Sequence, residues 1–239
     1  MTKEEPTIYY LKNEDILNTD ILYNYIYPNM SSNYYWSDDF SEEFYIHAAH
    51  AGFITVSNFF DNQLLLLPEL QFEYALLDFE NLHISKKVKK LIQQDDYELS
   101  INKNFKTLLN EIEQYHEIPW LTDKYLDLVL KLKEFHHDTI DFQILSVELT
   151  CKKTKKIIAG ELGYKIGSTY TSLTGFHNRE KKYNNCGTLQ LVLFALYLEE
   201  CNCSFWNLGH ASMDYKQKLG AKVYSREDFL KRWIVEAKK

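Results

Sequence analysis

The sequence contains few prolines and glycines and has no long hydrophobic run. Its 239 residues include 4 prolines and 8 glycines, so long disordered linkers are not expected. No apolar stretch is long enough to cross a bilayer, and no apolar signal region follows the first six residues. We therefore expect a cytoplasmic protein that does not bind membranes.

Cysteine is also scarce, and its spacing does not point to a metal site. The four cysteines are compatible with reduced thiols in the cytoplasm. Cys201 and Cys203 are separated by one residue and have no second pair, which makes them a weak zinc half-site. We expect structural thiols, and we predict neither a metal nor a cofactor.

The composition is that of a globular protein with an acidic balance. Hydrophobic residues make up 45%, charged residues 26% and aromatic residues 15%, with a net charge of −7. This charge argues against a surface that binds nucleic acid everywhere, but it permits a local basic patch. Four lysines cover a short predicted helix (Lys86, Lys87, Lys89, Lys90), and four flank a predicted hairpin turn (Lys152, Lys153, Lys155, Lys156). Contact with a phosphate backbone is one interpretation, and a solvated charged face is the other.

The order of apolar runs in the C-terminal half predicts a mixed fold. Three runs predict a meander of strands, a longer block predicts a buried helix, and a further run predicts a fourth strand before a short helix. The segments are 145–149, 157–164, 169–176, 189–198 and 204–210. This order is typical of acyl-transfer folds of the acetyltransferase (GNAT) type.

The N-terminal half alternates short strands and capped helices. Ser41 and Ser85 are placed to cap helices, and Gly52 is placed to end the first one. Strands are predicted at 53–56, 64–67, 72–77 and 97–101, and further helices at 105–115 and 122–135. We predict an α+β (mixed α/β) protein with a small N-terminal α+β domain, residues 1–75, and an acetyltransferase-like domain, residues 76–239.

The loop that would bind acetyl-CoA in such a fold has an unsuitable sequence. A pyrophosphate cradle needs a glycine-rich turn at a helix N-terminus. Residues 178–187 contain one glycine and lack the Gln/Arg-x-x-Gly-x-Gly/Ala pattern. The scaffold is therefore predicted without its usual cofactor.

Several short motifs follow one another in a characteristic order. They are Leu-His-Ile-Ser-Lys-Lys-Val-Lys-Lys-Leu at 82–91, Pro-Trp-Leu-Thr at 119–122, Ser-Val-Glu-Leu at 146–149, Ile-Ala-Gly-Glu-Leu-Gly at 158–163 and Leu-Gly-Ala at 219–221. Their order and spacing resemble those of the leucyl/phenylalanyl-tRNA–protein transferase family, over roughly residues 36 to 235. The resemblance implies transfer of an amino acid from charged tRNA to a protein N-terminus. It also implies two partners, an aminoacyl-tRNA and an acceptor protein or peptide.

The sequence departs from the family at functional positions. The family's Gly-Glu-Ser-Met-Phe motif falls on residues 172–176, where Leu173 replaces the glutamate. Its Asp-Cys-Gln motif falls on residues 208–210, so His210 replaces the glutamine, and a shifted alignment would bring Asn207 there. Glu161 occupies a pocket position that is apolar in the family. A changed donor, a changed acceptor and loss of transfer activity are all compatible with these departures.

The candidate site residues follow from the chemistry and from this resemblance. His210 ends a predicted strand and is a candidate general base. Glu148 lies within a strand, where it either orients an amine or accepts backbone hydrogen bonds. Trp120 either stacks on adenine or packs in the core. Further candidates for substrate binding are Glu161, Tyr170, Leu173, Thr174, Phe176 and Asn207, with core packing as the alternative for Phe176; candidates for tRNA binding are Lys86, Lys87, Lys89, Lys90, Lys152 and Lys153.

The direction of the Glu161 side chain and the overall function each have more than one interpretation. Glu161 either points away from the pocket and pairs with Lys155 or Lys156, or it faces the pocket and favours a polar or cationic donor. The first hypothesis for function is an aminoacyl-tRNA–protein transferase that acts as a monomer. The alternatives are an acyltransferase that uses another activated donor, and a non-catalytic relative that binds tRNA or a peptide.

Overall fold

The computed structural model describes residues 8–116, 121 and 123–239. Trp120, for which adenine stacking or core packing is predicted, and Thr122, at the start of the predicted helix 122–135, lie outside these residues. In the described part of the chain, no helix is both long and apolar enough to span a membrane.

The N-terminal part consists of short helices and two small two-stranded sheets. Its strands are β1 (Tyr9–Tyr10), β2 (Tyr35–Trp36), β3 (Ile54–Phe60) and β4 (Gln63–Glu69). Its helices are α1 (Asn13–Leu17), α2 (Thr19–Ile21), which continues into a π-helical turn (Leu22–Ile26), and α3 (Glu42–His50). β1 pairs with β2 in parallel, and β3 and β4 form an antiparallel hairpin.

A seven-stranded sheet forms the centre of the molecule. Its strands are β5 (Glu73–Leu77), β6 (Tyr97–Ile101), β7 (Phe142–Cys151), β8 (Ile157–Ile166), β9 (Thr169–His177), β10 (Phe205–His210) and β11 (Lys222–Ser225). Their order across the sheet is β11-β5-β10-β9-β8-β7-β6. Every neighbouring pair is antiparallel except β9 and β10. This parallel pair needs a crossover, which α7 (Cys186–Glu200) provides.

Helices cover both faces of this sheet, and each face has its own apolar core. The remaining helices are α4 (Lys86–Gln94), α5 (Phe105–Tyr115), α6 (Asp123–Glu134), α8 (Asp214–Leu219) and α9 (Arg226–Glu236). On the first face, α3, α5, α6 and α9 contribute to one buried cluster. On the second face, α4, α7 and α8 contribute to another. Strand alternation directs Val147 and Leu149 into the second cluster, whereas Leu162 and Tyr164 belong to the first.

The predicted caps are present. Ser41 Oγ accepts a hydrogen bond from the Phe44 amide at 3.2 Å, and Ser85 Oγ accepts one from the Val88 amide at 3.3 Å. Gly52 follows α3 with a φ of +95°, as expected for a glycine that ends a helix. Local signals in the sequence therefore set where these helices begin and end.

The predicted fold class is confirmed, with additions at the C-terminus. β11 and α9 were not predicted. In the case of β11, a four-residue strand that starts with Lys222 carries almost no apolar pattern. The division into domains at residues 75 and 76 remains a prediction. Its boundary lies inside β5, and the first core joins residues from both sides, such as Phe44 and Phe142.

Candidate active site at the split between two strands

The parallel strands β9 and β10 separate after a short stretch of pairing. They pair at three positions, the last being Asn207 with Thr171. Beyond this point β9 continues along β8 only, and β10 continues along β5. The carboxyl ends of the two strands therefore diverge and leave an opening in the sheet, which we call the split. Ligands of open α/β sheets commonly bind in a crevice at the carboxyl ends of the strands.

Each of the two strands carries a bulge beside the split. In β9, Leu162 pairs with Thr174 and Gly163 with Ser172, so Leu173 is the extra residue. In β10 the register shifts between Asn207 and His210, and Gly209 adopts a φ of +74°. This backbone conformation favours glycine. The bulge turns the end of β10 and brings His210 beside the end of β4.

His210 forms a close pair with a buried carboxylate. Its Nε2 lies 3.1 Å from Glu69 Oε2; the His210 side chain is 52% exposed and that of Glu69 is 5% exposed. Asn33 Nδ2 donates to Glu69 Oε1 at 2.7 Å, and Gln71 Nε2 donates to Oε2 at 3.2 Å. These bonds fix the carboxylate, and the carboxylate fixes the ring. With Nε2–H donating to Glu69, the lone pair of Nδ1 is free to accept a proton.

Lys216 on α8 holds the backbone of the same histidine. Its Nζ donates to the carbonyl oxygen of His210 at 2.7 Å, and the residue is 3% exposed. Burial lowers the pKa of Lys216 to about 8, and the nearby Glu161 carboxylate counteracts part of this effect. A buried cation thus contacts the His210 backbone and interacts electrostatically with Glu161.

Glu161 on β8 is the second buried carboxylate near the split. It accepts a hydrogen bond from Ser172 Oγ at 3.0 Å, and Ser172 Oγ accepts one from Trp206 Nε1 at 2.8 Å. Burial raises the pKa of Glu161 to about 7, while Ser172, Tyr170, Gln190 and Lys216 lower it. The cation that acts on Glu161 is Lys216. The first of the two alternatives, pairing with Lys155 or Lys156, is therefore wrong, and both of these lysines are exposed in the β7–β8 turn.

Two buried polar atoms next to Glu161 remain without a standard hydrogen bond. They are the Tyr170 hydroxyl and Gln190 Nε2. Both groups act on the Glu161 carboxylate and lower its pKa, although neither has standard hydrogen-bond geometry. Tyr170, Gln190 and Glu161 are all buried, so the three groups form one polar cluster beside the split.

The predicted pocket residues lie on two faces of the sheet. Tyr170 faces the second core, where its ring packs edge-on against Phe194 with centroids 4.8 Å apart. Leu173 and Phe176 pack against the first core instead, which is the core-packing alternative for Phe176. Thr174 Oγ1 lies 3.0 Å from His116 Nε2. These side chains therefore do not line one common pocket.

Asn207 and Glu148 have structural partners. Asn207 is 1% exposed and accepts a hydrogen bond from the Gly209 amide at 2.9 Å, which supports the bulge. Glu148 is fully buried on β7 and accepts hydrogen bonds from Ser100 Oγ at 2.7 Å, Ser146 Oγ at 2.5 Å and the Asn104 amide at 3.3 Å. β7 is separated from the split by β8. Glu148 therefore accepts hydrogen bonds within the framework, as in the second predicted alternative, but two of these three donors are serine side chains and one is a backbone amide.

The two predicted lysine clusters lie close together at one edge of the molecule. All four lysines of α4 are exposed, and none forms an ion pair with another described residue. Lys152 reaches the end of the same helix, where its Nζ lies 2.6 Å from Asp95 Oδ1. Lys153 is exposed in the same turn. The clusters thus form one basic edge, which we call the lysine edge, and Asp95 neutralises Lys152 within it.

Several residues of the split were not found from the sequence. Glu69, Gln71, Lys216, Ser172 and Gln190 come from different parts of the chain, and no local motif connects them. One signal was available in the sequence, a charged residue inside or beside an apolar run, as at Glu69. A carboxylate at such a position is buried and therefore needs polar partners nearby.

Comparison with known proteins decides the family. A profile of the leucyl/phenylalanyl-tRNA protein transferase family matches residues 76–233. The chain belongs to this family. It is 21% identical over 164 residues to the leucyl/phenylalanyl-tRNA–protein transferase of Flavobacterium johnsoniae, covering 65% of this chain and 69% of that relative. The predicted family is thereby confirmed, and with it an aminoacyl-transfer class of enzyme.

Solved structures confirm the fold at very low sequence identity. This member of the transferase family matches FemX with a TM-score of 0.50 and 10% identity, over 93% of this chain and 80% of that one. A weaker likeness, with a TM-score of 0.42 and 10% identity, relates it to L-PGS from Bacillus licheniformis, over 77% of this chain and 65% of that one. The match to FemX supports the acetyltransferase-like architecture predicted from the order of elements.

Proposed function

We propose that this chain transfers an amino acid from an aminoacyl-tRNA to the N-terminal amine of a protein or peptide. The observation that carries the proposal is the family match over residues 76–233, which includes both strands of the split. As finer proposals, the enzyme acts as a monomer in the cytoplasm and modifies N-termini in the manner of the N-end rule.

The reaction needs little more than positioning and a proton acceptor. The acceptor amine attacks the ester carbonyl, so a C–N bond forms, the C–O bond to the terminal ribose breaks, and the ribose oxygen leaves with a proton. Orientation can lower the barrier by up to about 7–11 kcal/mol. A positioned base adds a factor of about 10²–10⁴.

In this proposal His210 takes the proton from the attacking amine. Its ring is exposed at the split, so it can reach a substrate, and Glu69 fixes its orientation. Lys216 holds the His210 backbone and so acts as a positioning residue. Leu173 supplies no carboxylate on β9, so the proposed acid–base group is the Glu69–His210 pair, whose histidine is exposed. Glu69 lies outside the matched segment, so this chain builds its base with a residue from the N-terminal hairpin.

The buried Glu161 carboxylate is proposed to contact the side chain of the donor amino acid. A carboxylate beside a leucine side chain would lack a partner, which is costly in a buried place. Ser172 already donates to Glu161, and the Tyr170 hydroxyl and Gln190 Nε2 also act on this carboxylate. A polar or basic donor side chain would give the carboxylate a partner, which an apolar one would not. Thr174 and Phe176 face the other side of the sheet, so they are not part of this proposed pocket.

The lysine edge is proposed to hold the tRNA. Lys86, Lys87, Lys89 and Lys90 present four exposed charges, and Lys153 adds one more beside them. The loop after β9 lies beside the start of β8, where the Asn178 amide donates to the Ile158 carbonyl, and β8 begins directly after the turn that carries Lys153. A bound acceptor arm could thus direct its end into the split.

A transfer assay with mass detection tests the proposal. The full chain is incubated with a mixture of isotope-labelled aminoacyl-tRNAs and peptides that differ in the first residue. We expect a mass increase of one aminoacyl residue on the N-terminus of at least one peptide. Deacylated tRNA and an N-acetylated peptide serve as controls. No mass increase with any donor, or an equal increase on the acetylated peptide, would contradict the proposed function.

A further inference from the structure

Three potential ligand atoms meet on the first face of the molecule, away from the split. They belong to Glu43 and His47 on α3 and to His137, which precedes β7. His137 Nε2 lies 3.1 Å from Glu43 Oε2 and 3.3 Å from His47 Nε2. Glu43 Oε2 and His47 Nε2 are 3.7 Å apart. The three atoms therefore form a small triangle, which we call the histidine–glutamate triangle.

The fold brings these side chains together through two local devices. Glu43 and His47 are four residues apart on α3, so they share one face of that helix. His137 is held by a tight turn, in which its Nδ1 accepts hydrogen bonds from the amides of Thr139 at 3.2 Å and Ile140 at 3.1 Å. Neither device is needed for the transfer reaction.

The size of the triangle fits a small divalent cation. Zinc–nitrogen and zinc–oxygen bonds are about 2.0–2.1 Å long, so neighbouring ligands of a tetrahedral zinc lie about 3.3–3.4 Å apart. The observed separations of 3.1, 3.3 and 3.7 Å lie on both sides of this value. The side chains of His47 and His137 are 13% and 9% exposed, whereas Glu43 is 51% exposed. Solvent can thus reach the triangle on the carboxylate side.

His47 also has the supporting contact that zinc ligands usually show. Its Nδ1 lies 2.8 Å from Asn13 Oδ1. When Nδ1–H donates to this amide oxygen, the lone pair of Nε2 points into the triangle. Such outer contacts fix the tautomer and the direction of a metal-binding imidazole.

We propose that Glu43, His47 and His137 bind one Zn²⁺ ion, with water in the remaining coordination position. Two imidazoles and one carboxylate are a set of ligands that suits zinc. The ion would connect α3 with the segment before β7, and through Asn13 with α1. Its effect would be to hold the N-terminal part against the central sheet, because a ligand that binds only the folded state stabilises that state.

Binding requires one rearrangement, at His137. The amides of Thr139 and Ile140 both donate to Nδ1, so in the metal-free protein the ring proton is on Nε2 and points to Glu43. For Nε2 to bind zinc, this proton must move to Nδ1, where Thr139 Oγ1 lies 3.5 Å away as an acceptor. The two amides must then turn away. Zinc binding should therefore change the amide signals of Thr139 and Ile140.

The alternative is a hydrogen-bonded cluster without a metal. His137 Nε2–H can donate to Glu43, and the contacts in the metal-free protein are those of such a cluster. Such a cluster would not bind zinc tightly, and the amide signals of Thr139 and Ile140 would not change when zinc is added.

Zinc titration of the full chain separates the two cases. Chelator-treated protein is titrated with ZnCl₂ by calorimetry, and its melting temperature and the amide spectrum are followed. We expect one ion per chain, a rise in melting temperature, and shifts at Thr139 and Ile140. Glu43→Gln and His137→Ala should each weaken binding at least about tenfold, and Asn13→Ala should weaken it by about tenfold, as for other supporting contacts.

The control variant is His136→Ala, which removes an exposed histidine next to His137. It should bind zinc as the parent does. Absence of saturable binding by the parent, or equal loss of binding in the His136→Ala and His137→Ala variants, overturns the proposal. Glu43→Gln keeps the shape of the side chain, so it remains informative if His137→Ala fails to fold.

Discussion

Glu69 Oε2 lies 3.1 Å from His210 Nε2, although one residue ends the N-terminal β3–β4 hairpin and the other ends β10 of the central sheet. The pair depends on the packing of the two parts against each other. Asn33, from the loop before β2, completes the arrangement by donating to the same carboxylate. A catalytic role for His210 therefore requires the N-terminal part and not only the acetyltransferase-like scaffold.

The first prediction concerns the pH dependence of stability. Burial raises the pKa of Glu161 from its ordinary value of 4.5 to about 7. Between these pH values the folded state keeps a proton that the unfolded state releases, so the free energy of unfolding falls as the pH rises. The decrease in unfolding free energy due to Glu161 should approach about 3 kcal/mol, at about 1.4 kcal/mol for each pH unit. The Glu161→Gln variant should not show this decrease.

Urea unfolding of both proteins from pH 4 to pH 8 measures this contribution. The quantity of interest is the difference in unfolding free energy between the parent and Glu161→Gln at each pH, since other titrating groups cancel in it. Glu113→Gln, at an exposed position on α5, is the control. A difference that stays constant across the range would show that Glu161 titrates normally.

The second prediction concerns the donor amino acid. We expect the parent to use arginyl- or lysyl-tRNA in preference to leucyl- or phenylalanyl-tRNA, because the buried Glu161 carboxylate would lack a partner beside an apolar side chain. Glu161→Met should shift this preference towards leucine. The measurement is the transfer rate with each of the four donors, for both proteins. Efficient leucine transfer by the parent, not improved by the methionine variant, is incompatible with this account.

The third prediction concerns the lysine edge. Replacing Lys86, Lys87, Lys89 and Lys90 by alanine should weaken tRNA binding and reduce its dependence on salt, by about 0.7–0.9 in the logarithmic slope for each phosphate that the variant no longer neutralises. The control replaces Lys124, Lys131 and Lys133 of α6, which packs against the opposite face of the sheet. If tRNA binding by the parent and by the α4 variant depends equally on salt concentration, α4 is not part of the binding site.

Local features of the fold could be predicted from the sequence. The strand at 97–101 and the helix at 105–115 have the predicted bounds, because their apolar periodicity is clear and their ends carry turn or capping residues. The helices that start after Ser41 and Ser85 are also as predicted. The order of the strands was sufficient to indicate an acetyltransferase-like sheet.

The site could be predicted only in part, for physical reasons. His210 was found because a family motif falls on residues 208–210 and because a histidine there ends a predicted strand. Glu69 and Lys216 were not found, since their proximity to His210 depends on how distant elements pack. The sequence suggested Lys155 or Lys156 as the partner of Glu161, whereas the helix after β10 supplies Lys216. Alternation along β9 was also insufficient, because the bulge at Leu173 moves the residues after it to the other face.

The fourth prediction tests the central claim, that the Glu69–His210 pair at the split performs the transfer. The measurement is the single-turnover transfer rate with the preferred donor, for the parent, His210→Ala, Glu69→Gln and the exposed control His136→Ala. Removing the base should slow His210→Ala by about a hundredfold or more, with the fold and tRNA affinity unchanged. Glu69→Gln should lie in between, and His136→Ala should match the parent. A rate for His210→Ala within a few-fold of the parent would contradict the account.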